Sequence, residues 1–104
     1  MRHIDESEIA VAESTSTRPS KLVTIAGAGL AATGLAHFVA PDLFRGITAP
    51  AFPTNTDQAL QVNGAIETAV GTAIAVPRTR RAGMIGLGVY GAYLAANMAK
   101  AQLS

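Results

Sequence analysis

The sequence predicts an all-α membrane protein: an antiparallel bundle of three transmembrane helices with a short interfacial helix after the first. Three observations carry that reading. The stretches 22–40, 58–76 and 82–99 are apolar and each approaches the ~20 residues a helix needs to cross a bilayer core. Only Glu67 is charged within them at neutral pH, His37 being protonatable. Their apolar content is dominated by Ala and Gly rather than Leu and Phe, which suits helices packed backbone to backbone in a membrane.

Length and composition bound the function classes. At 104 residues the chain is one domain, with three helices using more than half of it. There is no cysteine, so disulfides, thiolate metal sites and thiol redox chemistry are excluded within the chain. A net charge of +1 gives no nucleic-acid footprint. The Ala/Gly bias matches high-GC bacterial genomes.

Residues 1–20 read as a polar cytoplasmic tail, with Ser and Thr clustered over 14–20. Ile4, Ile9 and Val11 form a short apolar stripe, which makes docking the sharper reading of this segment. A secretory signal cleaved after Gly34 is the competing one. Asp5, Glu6, Glu8 and Glu13 are unlike the basic start of such a signal and argue against it.

The membrane domain is 21–104. Lys21 opens the first helix, 21–40, and Pro41 stops it. Pro41-Asp42 suits the first turn of a new short helix, since Pro tolerates that position and Asp complements the helix dipole. Residues 41–47 are expected to lie in the membrane interface, with Leu43, Phe44 and Ile47 on one side. Phe44 is then an anchor, and Arg45 points at phosphates. Pro50 and Pro53 keep the following linker non-helical. The second helix is 58–76, and 77–81 forms a tight basic turn behind Pro77. The third helix is 82–99, with Lys100 placed to snorkel.

Orientation follows from the Lys and Arg near the helix ends. Arg2, Arg18, Lys21, Arg78, Arg80 and Arg81 fall on one side, Arg45 and Lys100 on the other. The excess places the N-terminus and the Arg turn in the cytoplasm and the C-terminus outside a bacterial inner membrane.

Two glycine patterns imitate a dinucleotide fingerprint: Gly27-Ala28-Gly29-Leu30-Ala31-Ala32 and Gly86-Leu87-Gly88-Val89-Tyr90-Gly91. The fingerprint requires a whole βαβ unit. Here the chain runs instead into 38–53, with Pro41, Pro50 and Pro53 and no second strand, so no nucleotide is expected.

Glu67 is the strongest signal. Leu60, Val62, Ile66, Val70, Ile74 and Val76 favour insertion of the second helix by about 2–4 kcal/mol in total, and one central charge costs roughly 2.5–3.5. Asn63 and Gln61 add to that cost. The helix therefore needs the other two, or a partner protein. Asn63, Gly64 and Gly71 share the face of Glu67. A structural role predicts a carboxyl hydrogen-bonded between helices as glue; a functional role predicts a proton or ligand site. The structural role is favoured, because nothing else resembles a proton relay.

Glu67 and Tyr90 both fall near the bilayer midplane, counted along their helices at ~1.5 Å per residue. The short turn makes those helices antiparallel neighbours. Glu67 is therefore expected to meet Tyr90, with Asn63 and Tyr93 one turn nearer the outside. Gly83, Gly86, Tyr90, Tyr93 and Asn97 form a packing seam, small at the cytoplasmic end and polar at the outer end. His37, sharing a face with Gly29 and Thr33 near the outer end of the first helix, reads as an interfacial histidine bonded to a carbonyl or headgroup. Ligand contact is the alternative. No catalytic constellation and no metal-ligand spacing is present.

Residues 34–98 resemble the small members of the DoxX-like membrane protein family. The landmarks, in order, are Gly34-Leu35-Ala36-His37-Phe38, Pro41 with Phe44, Ile47 with Pro50, Phe52-Pro53, Gly64 with Glu67, Pro77 with Arg78, and Asn97-Met98. The resemblance implies a compact antiparallel bundle with an interfacial turn, of which three of the usual four helices are present. Some relatives are linked to quinone-coupled sulfur oxidation or to membrane redox complexes.

The expected function is a non-enzymatic accessory subunit that packs against a larger membrane complex, whether respiratory, redox or lipid-transporting. The alternatives are a quinone-linked oxidoreductase subunit, with His37 and Glu67 near the headgroup, and a small lipid-binding or transport protein. Quinone and lipid are the ligands these readings admit.

Overall fold

The computed structural model describes the backbone of residues 6–103 and the side chains of 20–103. Four α-helices follow one another: α1 (Glu6–Val39), α2 (Asp42–Thr48), α3 (Thr56–Ala75) and α4 (Arg80–Leu103), with a 3₁₀ turn, Pro77–Thr79, before the last. No strand occurs among the described residues. The all-helical expectation holds, and prolines punctuate it as expected: Pro41 caps α2, and Pro77 opens the 3₁₀ turn.

The starts of three helices differ from the sequence reading, and the last helix runs on to Leu103 rather than ending at residue 99. The first helix begins at Glu6 rather than Lys21, so 6–20 continues the helix instead of forming a separate tail. Residues 1–5, and the side chains of the Ile4, Ile9, Val11 stripe, lie outside what is described. The second helix starts at Thr56, and the third starts at Arg80 within the basic turn. The later two helices gain short polar first turns that an apolar count does not see.

Glycines set the packing of α1 on α3. A Cβ on Gly27 would stand 2.8 Å from the Gly71 carbonyl oxygen, and one on Gly71 would stand 2.6 Å from that of Gly27. Gly34 and Gly64 face each other in the same reciprocal way, at 2.7 and 2.8 Å. The two pairs run in opposite chain order, so α1 and α3 are antiparallel and touch backbone to backbone. The match to a nucleotide fingerprint at 27–32 lies inside this helix, where Gly27 serves packing.

α4 folds back over α3 more obliquely. The chain turns through 110° between them, short of the fully antiparallel hairpin expected. Gly83 packs against Ile74, and Gly86 approaches Val70 at 3.2 Å. α4 scarcely meets α1 except through Arg80. The Arg80 guanidinium donates to the carbonyl of Ile74 at 2.8 Å and that of Ala75 at 3.3 Å, capping the end of α3. It reaches Thr24 at 2.7 Å and Ser20 at 3.2 Å on α1. One cation thus ties three helices at the end predicted to be cytoplasmic.

Among the described residues one helix is long and apolar enough to cross a membrane by itself: 20–39, with mean hydropathy 1.7. α3 and α4 pass the same test only as a bent pair. Glu67, Asn63 and Gln61 dilute α3, and Gly, Tyr and Asn dilute α4. In the most apolar window of 20–39 only 17% of the residues are buried within the chain. Leu22, Ile25, Leu35 and Val39 are all exposed, so this helix is apolar on the face it turns away from its neighbours.

Candidate functional site

The four helices converge on one cavity of about 240 Å³. Its polar side is built by His37 from α1, Asn63 and Glu67 from α3, and Tyr90 from α4. Its apolar walls come from Phe44 and Ile47 of α2, Phe52 of the linker, and Leu94 and Met98 of α4. The positions follow from local structure. Asn63 and Glu67 are one helical turn apart on α3. The Gly34–Gly64 contact draws α1 against them and carries His37 with it: a Cβ on Gly64 would stand 2.6 Å from the His37 Cβ. The α4 seam then delivers Tyr90.

The expected meeting of Glu67 and Tyr90 occurs: the Tyr90 hydroxyl donates to Glu67 Oε2 in a buried hydrogen bond. His37 Nδ1 lies 2.8 Å from the carbonyl oxygen of Thr33. A carbonyl can only accept, so Nδ1 carries a proton and Nε2 is the free face of the ring. That nitrogen stands 3.7 Å from Glu67 Oε2. The gap exceeds a direct hydrogen bond.

His37 is therefore bonded to a carbonyl, as its bland reading held, but it is buried rather than interfacial, with 5% of its surface exposed. Phe44 stacks on it, ring centres 4.0 Å apart and planes 15° from parallel. Phe44 thus points into the fold, where the sequence reading had it anchoring in the interface. Arg45, expected to reach phosphates, is ion-paired to Asp57 and lies 3.3 Å from Asp42. Hydrogen bonding to Asp57, and then to Asp42, holds its guanidinium above the usual arginine range. The pair straps α2 to the start of α3 beside a separate depression, in solvent, where such bridges contribute little. α2 itself spans 42–48, within a residue of the expected 41–47.

Asn63 Oδ1 is buried and has no hydrogen-bond partner. Only 3% of Asn63 is exposed, and the residue lines the cavity. An unsatisfied buried acceptor costs roughly 1–3 kcal/mol. Buried acceptors ordinarily have a partner, so this oxygen is an exception among the described residues.

Of the six polar residues the sequence singled out, the fold brings four together: His37, Asn63, Glu67 and Tyr90. Tyr93 sits beside them, its ring centre 6.0 Å from that of Tyr90 and 5.6 Å from that of Phe52. Asn97 stands apart, donating to the Tyr93 carbonyl at 2.8 Å and lining a separate depression with Lys100.

Sequence reasoning missed Phe52, Thr48, Leu94 and Met98 as cavity residues, and Arg80 as the clamp. Phe52 had a signal. A large aromatic held between Pro50 and Pro53 in a short linker has little freedom, and it ends 4% exposed. Nothing in the run of arginines distinguished Arg80 from Arg78 and Arg81.

A family model described as a domain of unknown function, DUF8561, matches residues 26–104. The chain belongs to that family. No curated protein matches it, and no solved structure does. The matched span begins in α1 and contains every residue of the cavity and both glycine pairs.

Proposed function

We propose that this protein is a three-span membrane protein of the bacterial inner membrane, N-terminus cytoplasmic, whose cavity binds one amphipathic small molecule. The observation that carries this reading is a space of about 240 Å³ with His37, Asn63, Glu67 and Tyr90 on one side and apolar walls on the others. Sites for small molecules are of this kind: mostly apolar, with a few convergent polar groups. The apolar outer surface of α1 supports the membrane setting. So does the clustering of the buried polar groups away from that surface. The likeness to DoxX-like proteins supports the same bundle.

A second reading keeps the protein as an accessory subunit of a larger membrane complex. The oblique path of α4 favours it. It leaves Met84, Ile85, Val89 and the α1 flank exposed, surfaces that lipid or a neighbouring subunit would cover. The two readings are compatible, since a subunit can hold a ligand.

Organic extraction of the protein purified in mild detergent tests the proposal. One compound at about one per chain, enriched over its share of the membrane, is the expected result. Recovery of bulk lipids alone, in membrane proportions, would count against it.

A further inference from the structure

We infer that the end of the bundle bearing the basic turn is a recognition surface for the headgroup of an anionic phospholipid. This rests on the membrane setting proposed above and not on the cavity.

The fold joins two sets of cations that are far apart in the chain. Lys21 opens the apolar stretch of α1, and Arg78, Arg80 and Arg81 lie at the junction of α3 and α4. Arg80 bonds Ser20 and Thr24 on α1, so the basic turn stands against the helix that carries Lys21. Arg80 is committed to that contact and to the carbonyls of Ile74 and Ala75. Thr79 donates to the Ala73 carbonyl at 2.8 Å. The negative end of α3 is thereby satisfied from within the chain. Lys21, Arg78 and Arg81 remain exposed, and none of their side chains has a hydrogen bond or ion pair among the described residues.

No acid answers these cations locally. Asp42 and Asp57 lie at the opposite end of the bundle, Asp57 about 27 Å from Ala75 along α3. Glu67 is buried and bonded to Tyr90. Glu13, the nearest acid along α1, is ~12 Å from Lys21 at the helical rise. Physiological salt screens charges over ~8 Å. Free cations clustered at one end of a span attract the anionic surface of a leaflet.

The layout beside the turn favours a phospholipid over a free anion. A shallow depression there is lined by Ser20, Lys21, Thr24 and Ile25. Lys21 and Ile25 are one turn apart on one face of α1, and Leu22 and Ile25 are exposed. A cation thus borders apolar surface, the order in which a phospholipid presents its phosphate and its acyl chain. A free phosphate would use the cation alone.

The test uses the whole chain in mixed micelles at physiological salt, titrated with dioctanoyl phosphatidylglycerol or dioctanoyl phosphatidylcholine. Thermal unfolding reads binding. Phosphatidylglycerol should stabilise the protein at a concentration at least about tenfold lower than phosphatidylcholine. Lys21→Gln and Arg81→Gln should each cut that preference about threefold to fivefold. Lys100→Gln removes the same charge at the other end and should leave it unchanged. An equal loss in Lys100→Gln would show net charge alone and overturn the site. Loss of the preference on adding millimolar inorganic phosphate would make free phosphate the ligand and overturn the lipid assignment. Equal stabilisation by both lipids would overturn the anionic headgroup and leave the membrane setting standing. Stabilisation by neither would overturn the inference, and a protein that also stays monodisperse without detergent would take the membrane setting with it.

Discussion

Nε2 of His37 stands 3.7 Å from Oε2 of Glu67, the same oxygen that accepts the Tyr90 hydroxyl. Three helices thus converge on one carboxylate atom. Glu67 is not isolated in an apolar segment; it is the point where α3 and α4 are bonded, with His37 of α1 beside it. That makes it both a packing device and the floor of the cavity, and its substitutions separate those roles.

Glu67→Gln keeps an oxygen acceptor for Tyr90 and should be tolerated for assembly. Glu67→Ala should cost roughly 1–2 kcal/mol of helix association, and Tyr90→Phe about 0.5–1.5. Unfolding in mixed micelles measures these losses. In the double variant the two losses should not add, because both remove the same bond. Full additivity would show that the Tyr90–Glu67 bond contributes nothing.

Gly64→Ala places a methyl 2.6 Å from the His37 Cβ and 2.8 Å from the Gly34 carbonyl oxygen. Backbone must move, and a loss of about 1–3 kcal/mol is expected. Gly29 offers the control, since a Cβ there meets nothing within 4 Å. Gly29→Ala should be neutral or stabilising by up to ~1 kcal/mol, as for Gly in any helix interior. The same micelle titration reads both, and equal effects would contradict the packing described.

The helices and the Glu67–Tyr90 contact were legible in the sequence; the cavity was not. A lone carboxylate in an apolar segment must find a partner, and the short turn after Pro77 left Tyr90 at the matching depth. The glycine contacts were legible as composition but not as pairs, because reciprocal pairing of Gly27 with Gly71 and of Gly34 with Gly64 depends on a register that no local pattern encodes. Phe44 shows the limit most clearly. It shares a stripe with Leu43 and Ile47, and only the position of His37 decides that it turns inward. The inward turn of Arg80 likewise depends on Ser20 and Thr24, far away in the chain.

Arg80→Lys should not substitute for arginine. The guanidinium serves two carbonyls and two hydroxyls at once, and an ammonium cannot hold that fork. Both Arg80→Lys and Arg80→Ala should lower stability by about 1–3 kcal/mol, whereas Arg78→Ala, at an exposed position, should lie within ~0.5. Thermal unfolding in detergent distinguishes them.

Topology is open to single-cysteine labelling, because the chain has no cysteine of its own. A membrane-impermeant thiol reagent on intact cells should label Thr54→Cys and Gln102→Cys but not Thr79→Cys. Labelling at Thr79→Cys alone would invert the proposed orientation.

Native mass spectrometry of the protein released from nanodiscs asks most directly whether the cavity is a binding site. Wild-type protein should carry one small molecule of constant mass. Asn63→Leu should emerge bare, and Val62→Ala, on the exposed side of α3, should carry the same molecule as wild type. A bare wild type, or an adduct kept unchanged by Asn63→Leu, would contradict the proposal that Asn63 and its neighbours hold a ligand.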